Sequence, residues 1–450
     1  MNYPKKNARL TEGPVGKTLI NLTIPMIFGM VGLIIFNLTD TYFVGKLGAD
    51  QLAALSFTFP VIFIINSVAL GLGIGASVVI SRAIGEGDQN KVRRLTTDSL
   101  LLAISIVIVF VLAGLATIKP LFTILGASAE IIILIKQYMV IWYIGMPFVV
   151  VPMVGNNAIR ATGDSKTPSA IMMIAASMNI IMDPLLIFGI GPFPALGIEG
   201  AALATVIARF ITFSVAIYVL GFREKMLSFK FLSFRKVLAS WRAVLFIGAP
   251  IAASRMIIPF TAGIITRILS GFGNNVVAGF GVASRIEFFA LAAVNSLSAV
   301  FGPFIGQNLG AKKSERIHLS IKLSTRFALI WGICLLVILG ITAPFIASIF
   351  SKDIKVIKTI VTFLRIVPFA YGLNGIFLLS STALNVLKKP YHSAGLVAVQ
   401  MFIFYIPLAY LGSKFFGVQG VFLATAAAYI LGGISAYLVM IRQIKKIVRW

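Results

Sequence analysis

Twelve apolar stretches, each long enough to cross a bilayer as a helix, constrain this chain more than anything else in it. They fall at about 18–44, 52–81, 96–118, 131–155, 167–189, 200–221, 243–270, 276–305, 321–349, 359–384, 392–411 and 419–441, against the roughly 20 residues that span a hydrocarbon core of about 30 Å. Backbone immersed in lipid must satisfy its own hydrogen bonds, so runs of this length are helices. The longer ones imply tilt, or ends that reach into water. Charge agrees: 12% of the 450 residues are charged and 59% are hydrophobic, whereas a soluble domain carries about 25% charged residues. Soluble enzyme, disordered chain and fibre are excluded. The expected fold is an all-α polytopic membrane protein with twelve transmembrane helices.

Lys and Arg number 39 against 14 Asp and Glu, a formal charge of +25. On a soluble protein that excess would suggest nucleic acid. Here it is read as basic cytoplasmic loops that set topology and meet anionic lipid heads, so membrane lipids are expected partners and nucleic acid is not. The loops on the side of the termini hold 27 Lys and Arg, and the opposite loops hold 6. Positive residues mark the cytoplasmic face, so both termini are expected in the cytoplasm and the chain in the cytoplasmic (inner) membrane. The single Cys334 lies in an apolar helix, and His318 and His392 lie in basic loops. No thiolate metal site, disulfide or cofactor is expected. The polar N-terminus lacks the shape of a removable signal peptide.

The second half rewrites the first. Gly197-Ile-Glu-Gly-Ala-Ala-Leu-Ala-Thr205 returns as Gly417-Val-Gln-Gly-Val-Phe-Leu-Ala-Thr425, an offset of 220, and Ile24-Pro25 returns as Ala249-Pro250, an offset of 225. The expected domains are an amino-terminal six-helix lobe (1–221), a basic cytoplasmic linker (222–242) and a carboxy-terminal six-helix lobe (243–450). Six is even, so the repeat is parallel, giving two pseudo-symmetric bundles. Such doubling is common in secondary transporters.

Intramembrane carboxylates cost about 2.5–3.5 kcal/mol at a helix centre and are functional by default. Asp40, Asp183 and Glu287 fall well inside spans. Asp40 lies about 9 Å below the outer end of helix 1, at 1.5 Å per residue. Asp183 in helix 5, Thr205 in helix 6 and Tyr138 in helix 4 share its level. Asn37 and Asn179 lie three and four residues before these acids, on the same helix faces. Two carboxylates close together in low dielectric resist joint ionisation, so the pair can hold a proton and release it when water enters. Alternatively the two acids, Asn179 and Thr205 supply oxygens for Na⁺. The competing reading is a static polar clasp. Their repeat counterparts are Ile265 and Ile406, so only one lobe carries this pair. Arg255 and Glu287, at similar depth on neighbouring helices, are expected to form an ion pair, structural rather than a second coupling site. Arg267, Arg285 and Arg365 are further charges of that lobe, and Lys136 is expected to snorkel outward. Met30, Met173 and Phe36, with Met26, Met172 and Met178, offer an adaptable apolar lining or plain core. Gly16-Lys17-Thr18 has Thr11 where a phosphate loop needs glycine. Gly71-Leu-Gly-Ile-Gly75 is close-packing geometry inside a helix.

These residues resemble the multidrug and toxic compound extrusion (MATE) transporters, through Ile24-Pro25, Asn37-Leu-Thr-Asp40, Leu52-Ala-Ala54, Arg160 to Asp164, Asn179-Ile-Ile-Met-Asp183-Pro184 and Gly200-Ala-Ala-Leu-Ala-Thr205. The likeness is nearest to the DinF-like prokaryotic branch. It implies that Asp40 and Asp183 bind the coupling cation with Asn179 and Thr205, and that Tyr138, Asn37 and Asn156 line the same cavity. Pro25 matches the proline at which helix 1 bends in that branch. The acids that the NorM-like branch carries in helices 7 and 10 are absent, and position 162 is Thr where some relatives carry an acid. The expected function is a monomeric, non-enzymatic H⁺- or Na⁺-coupled antiporter exporting small amphipathic, often cationic compounds by alternating access. The alternatives are a flippase for a lipid-linked precursor in the same superfamily and an intramembrane aspartyl protease.

Overall fold

The computed structural model describes residues 8–228 and 233–447, so Lys230 of the linker and the basic residues at the extreme ends lie outside the described residues. Every regular element among the described residues is helical: α1 Val15–Gly45, α2 Ala49–Gly85, α3 Gln89–Ile124, α4 Ala129–Ala161, α5 Lys166–Phe188, α6 Gly197–Tyr218, α7 Phe234–Ser270, α8 Asn274–Ala290, α9 Ala292–Gly310, α10 Ser314–Phe350, α11 Ile354–Ile366, α12 Tyr371–Val386, α13 Pro390–Ala398 and α14 Ile406–Ile447. Among the described residues ten continuous helical stretches are long and apolar enough to cross a membrane, and α8–α9, bent by 46°, makes one more. Gly417, at φ 58° and ψ −138°, interrupts α14 and divides the last stretch in two. The count is the expected twelve.

Local chemistry sets the ends and breaks. Asp88 caps α3 by accepting the Lys91 N–H at 2.9 Å, and Asp353 caps α11 by accepting from the Lys355 and Val356 N–H groups. Such caps satisfy orphan donors of the first turn. Pro368 cannot donate, and α11 gives way to a 3₁₀ turn at Val367–Ala370 before α12. Ahead of Pro407 the chain widens into a π turn over Val399–Tyr405. Spans expected as straight helices at 276–305 and 359–384 are therefore broken ones.

Two compact units result, one of Met1–Arg9 and Ile24–Ala249 and one that joins Leu10–Thr23 to Pro250–Trp450. Two of the three divisions fall at or beside the repeated prolines, Pro25 and Pro250. The expected amino-terminal lobe ran unbroken over 1–221, with a linker at 222–242 and the second lobe from 243, whereas Leu10–Thr23 belongs to the second unit and the chain from Ile24 up to Ala249 to the first. The reason is a set of backbone carbonyls that the second unit's side chains satisfy. Arg316 donates to those of Leu10, Glu12 and Gly13 at 3.1, 3.0 and 2.6 Å, and the Leu10 N–H donates to the Gln307 side chain at 3.0 Å. The glycines of 71–75 pack as their sequence suggests. A Cβ on Gly73 would strike the Asn157 side chain, and one on Gly75 the Val244 carbonyl oxygen.

Asp164 braces the turn between α4 and α5. It accepts from the Thr167 hydroxyl at 2.6 Å and the Thr167 N–H at 3.0 Å, and pairs with Arg223. Burial pushes its carboxyl up, but the Thr167 hydrogen bonds and the Arg223 guanidinium outweigh it and hold it below the ordinary carboxylate value. A depressed carboxyl stabilises the fold above its unfolded value, and that contribution is lost as pH falls through the folded one. Asp164→Asn should therefore lower stability at neutral pH by about 1 kcal/mol. The difference from wild type should close in strong acid, as read by thermal unfolding across pH.

Candidate cation site

Within the amino-terminal unit, α5 buries Asp183 completely, and Asn179, one turn earlier, donates from Nδ2 to Asp183 Oδ1 at 2.9 Å. That bond uses one oxygen of each side chain poorly or not at all. Asp183 Oδ2 and Asn179 Oδ1 are buried without a hydrogen-bond partner among the described residues, and so are Asp40 Oδ1 and Thr205 Oγ1. Asp40 and Asp183 stand within Coulombic reach of each other, and both act on Tyr138. Among the described residues no basic side chain comes within 4.0 Å of either carboxylate. Buried polar oxygens left unpaired cost about 1–3 kcal/mol each, and more for a charged group. A static clasp would satisfy its own members. This set instead presents acceptors and lacks positive charge at contact distance.

Arg209 was not anticipated. It lies four residues after Thr205 on the same face of α6, with its guanidinium 4.6 Å from the Phe36 ring centroid, and it feels the charge of Asp40. Its Nε is buried and unpartnered. The available signal was a lone intramembrane base one turn from a polar site residue. The same rule that flags intramembrane acids applies to it.

Other expected members are dispersed. Asn37 is exposed and donates to the carbonyl of Leu33 on its own helix at 2.8 Å. Asn156 is buried eighteen residues beyond Tyr138 on α4, roughly 27 Å along the helix. It belongs to a separate polar layer in which Arg160 donates to Asn157 at 2.6 Å and Met26 faces Ser169 at 3.4 Å. Met173 seats its sulfur against Gly32, and Met172 against Gly29, so both serve the packing of α5 on α1. Phe36 packs with Ala176 and Ala208, and Met30 is half-buried. Lys136 is exposed, as its snorkelling requires.

In the carboxy-terminal unit the expected Arg255–Glu287 ion pair does not form. Glu287 instead accepts from the Tyr429 hydroxyl at 2.9 Å. Equal depth did not decide the matter: Arg255 is exposed, and the Tyr429 hydroxyl takes the place beside the carboxylate.

The MatE family model matches residues 25–185 and 250–411, each stretch opening at a repeated proline. A FAD transporter of Shewanella oneidensis is 38% identical over 428 residues, covering 95% of each chain. The multidrug export protein MepA of Staphylococcus aureus is 24% identical over 432 residues, covering 95% of this chain and 94% of its own. The crystal structure of the Vibrio cholerae MATE transporter VcmN in the bent form matches with a TM-score of 0.91 at 30% identity, over 96% of this chain and 98% of that one.

Proposed function

The chain belongs to the MatE family of membrane transporters, and on that premise we propose that it is a cation-coupled antiporter exporting amphipathic organic compounds across the cytoplasmic membrane. The observation that carries this reading is the set of buried, unpartnered oxygens on Asp40, Asp183, Asn179 and Thr205. Such a set gains most from a small positive charge, H⁺ or Na⁺. An ion entering from outside neutralises the acids and favours the state that releases cargo, because only a ligand that prefers one state can shift the equilibrium. With neither ion bound, the acids favour the state that loads cargo from the cytoplasm. The chain acts as a monomer with both termini inside, and none of these steps calls for a cofactor.

A second reading of the cargo has an observation behind it. Arg209 acts on Asp40 by its charge and lies over the Phe36 ring, a pairing that also suits a flat anionic ligand. The 38% identity to a FAD transporter points the same way. Proteoliposomes loaded with FAD or with a cationic dye, under an imposed pH gradient and then a Na⁺ gradient, distinguish the cargoes and the ions. Export of either compound under one of the gradients supports the antiporter, and the compound that moves identifies the class. Movement of neither under both gradients contradicts it.

A further inference from the structure

The carboxy-terminal unit carries an acid that the coupling scheme above does not use. Glu287 is the sole Asp or Glu between Glu224 and Glu315. Its carboxylate accepts from Tyr429 at 2.9 Å, and it lies close enough to Tyr371 and Tyr405 for its charge to act on both. The Tyr371 hydroxyl is buried without a hydrogen-bond partner among the described residues, on a side chain that is itself 0% exposed. The Tyr405 hydroxyl accepts from Thr425 at 3.1 Å.

Three independent features converge on this group. The first is the repeat. At the offset of 220 that relates the two halves, Thr425 is the counterpart of Thr205 and Tyr429 that of Arg209. At the second of these positions each unit thus brings a polar side chain to an acid, Arg209 to Asp40 and Tyr429 to Glu287, although the acids come from different helices, α1 in one and α8 in the other.

The second is the backbone. Glu287 stands one turn before the 46° break between α8 and α9, and its carbonyl accepts the Leu291 N–H there at 3.0 Å. Tyr371 opens α12 directly after the 3₁₀ turn, and Tyr405 ends the π turn. Interruptions of this kind cluster where side chains must be aimed at a site. The counterpart stretch Ala49–Gly85 is one unbroken helix, with Ile62 where Glu287 stands.

The third is an aromatic layer. Two turns from Glu287 toward the Gly273 end of α8, Phe280 stacks on Phe422 with ring centroids 6.4 Å apart, and Phe363 meets both rings edge-on at 6.0 and 5.2 Å. The three rings form an apolar layer two turns along α8 from Glu287.

The charges that could neutralise Glu287 are Arg285 on its own helix, Arg255 and Arg267 on α7, and Lys355, Lys358 and Arg365 on α11. Among the described residues none of them comes within 4.0 Å of its carboxylate. Glu287 is half-buried inside a membrane span, where a carboxylate without a counter-ion is costly, and the inexpensive remedy is to bind a proton. A phenol can both donate and accept, so the three tyrosines can serve either form of the acid. They donate to the carboxylate, or an unpartnered hydroxyl such as that of Tyr371 accepts from the protonated acid.

We propose that Glu287, with Tyr371, Tyr405, Tyr429 and Thr425, forms a second proton-binding site, in the carboxy-terminal unit and separate from the Asp40–Asp183 pair. One proton from water binds one oxygen of Glu287 and leaves by the reverse step, and no other bond is made or broken.

Infrared difference spectra of the protein in liposomes, stepped from alkaline to acidic pH, test this directly. They are recorded on the Asp40→Asn/Asp183→Asn variant, so the result does not depend on the coupling role assigned to that pair. A carboxylic acid C=O band is expected to grow in this background and to disappear when Glu287→Gln is added. Tyr429→Phe and Tyr371→Phe, which remove hydroxyls, should shift its frequency. Should Glu287→Gln not fold, Glu287→Asp is expected to move the band and keep it. An unchanged spectrum in the Glu287 variants overturns the proposal, as does a response to Na⁺ at fixed pH with none to pH.

Discussion

Asp40→Asn and Asp183→Asn are each expected to cut gradient-driven export by at least about tenfold while leaving the protein folded and able to bind cargo. Tenfold lies within the usual range of coupling between two sites. The amide keeps the volume and hydrogen-bonding capacity of the acid but cannot take on and shed a positive charge. Asp183 is the more exacting position: it is fully buried and already accepts from Asn179 at 2.9 Å, so its amide must also turn an oxygen toward that donor. Direct cargo binding, measured by fluorescence polarisation on purified protein, separates lost coupling from lost affinity. A purely structural clasp would give the reverse pattern, with lowered thermal stability and export surviving in whatever fraction stays folded.

The second large effect is on assembly. Gly200 and Gly420 are repeat counterparts, and each lets two segments touch backbone to backbone. A Cβ on Gly200 would collide with the Leu186 carbonyl, and one on Gly420 with the backbone of Gly412. Neither obstacle is a side chain that can swing away. Overpacking of this kind costs about 1–3 kcal/mol and sometimes more, and small residues at such crossings are what bring membrane helices together. Gly420→Leu is expected to abolish or severely reduce recovery of folded protein. Gly340→Leu on α10, where the added side chain meets open space, should express and melt like wild type. Size-exclusion profiles and melting curves of the two variants read the difference.

The spans, the repeat and the acid pair were legible because each follows from one-dimensional information. Runs of about 20 apolar residues report membrane crossings, a fixed offset reports duplication, and a carboxylate inside a span reports cost. What stayed hidden depends on azimuth and on breaks in helices. Arg255 and Glu287 share a depth, yet Glu287 turns to Tyr429, since sequence position gives height along a helix and not which neighbour it faces. Asn156 matched a motif but belongs to the Arg160 layer, because eighteen helical residues carry it far from Tyr138. Arg209 was readable in principle, being a lone base on an apolar helix. The capture of Leu10–Thr23 by the second unit rests on Arg316 and Gln307, a long-range match of donors to carbonyls that leaves no periodic trace.

Simultaneous recording of ion entry and cargo exit from proteoliposomes tests the central claim most directly. Wild-type protein is expected to admit H⁺ or Na⁺ in fixed proportion to the cargo it expels, and Asp40→Asn is expected to abolish both fluxes together. Undiminished uphill export by wild-type protein with no accompanying ion movement, or by Asp40→Asn at the wild-type ratio, would contradict the account.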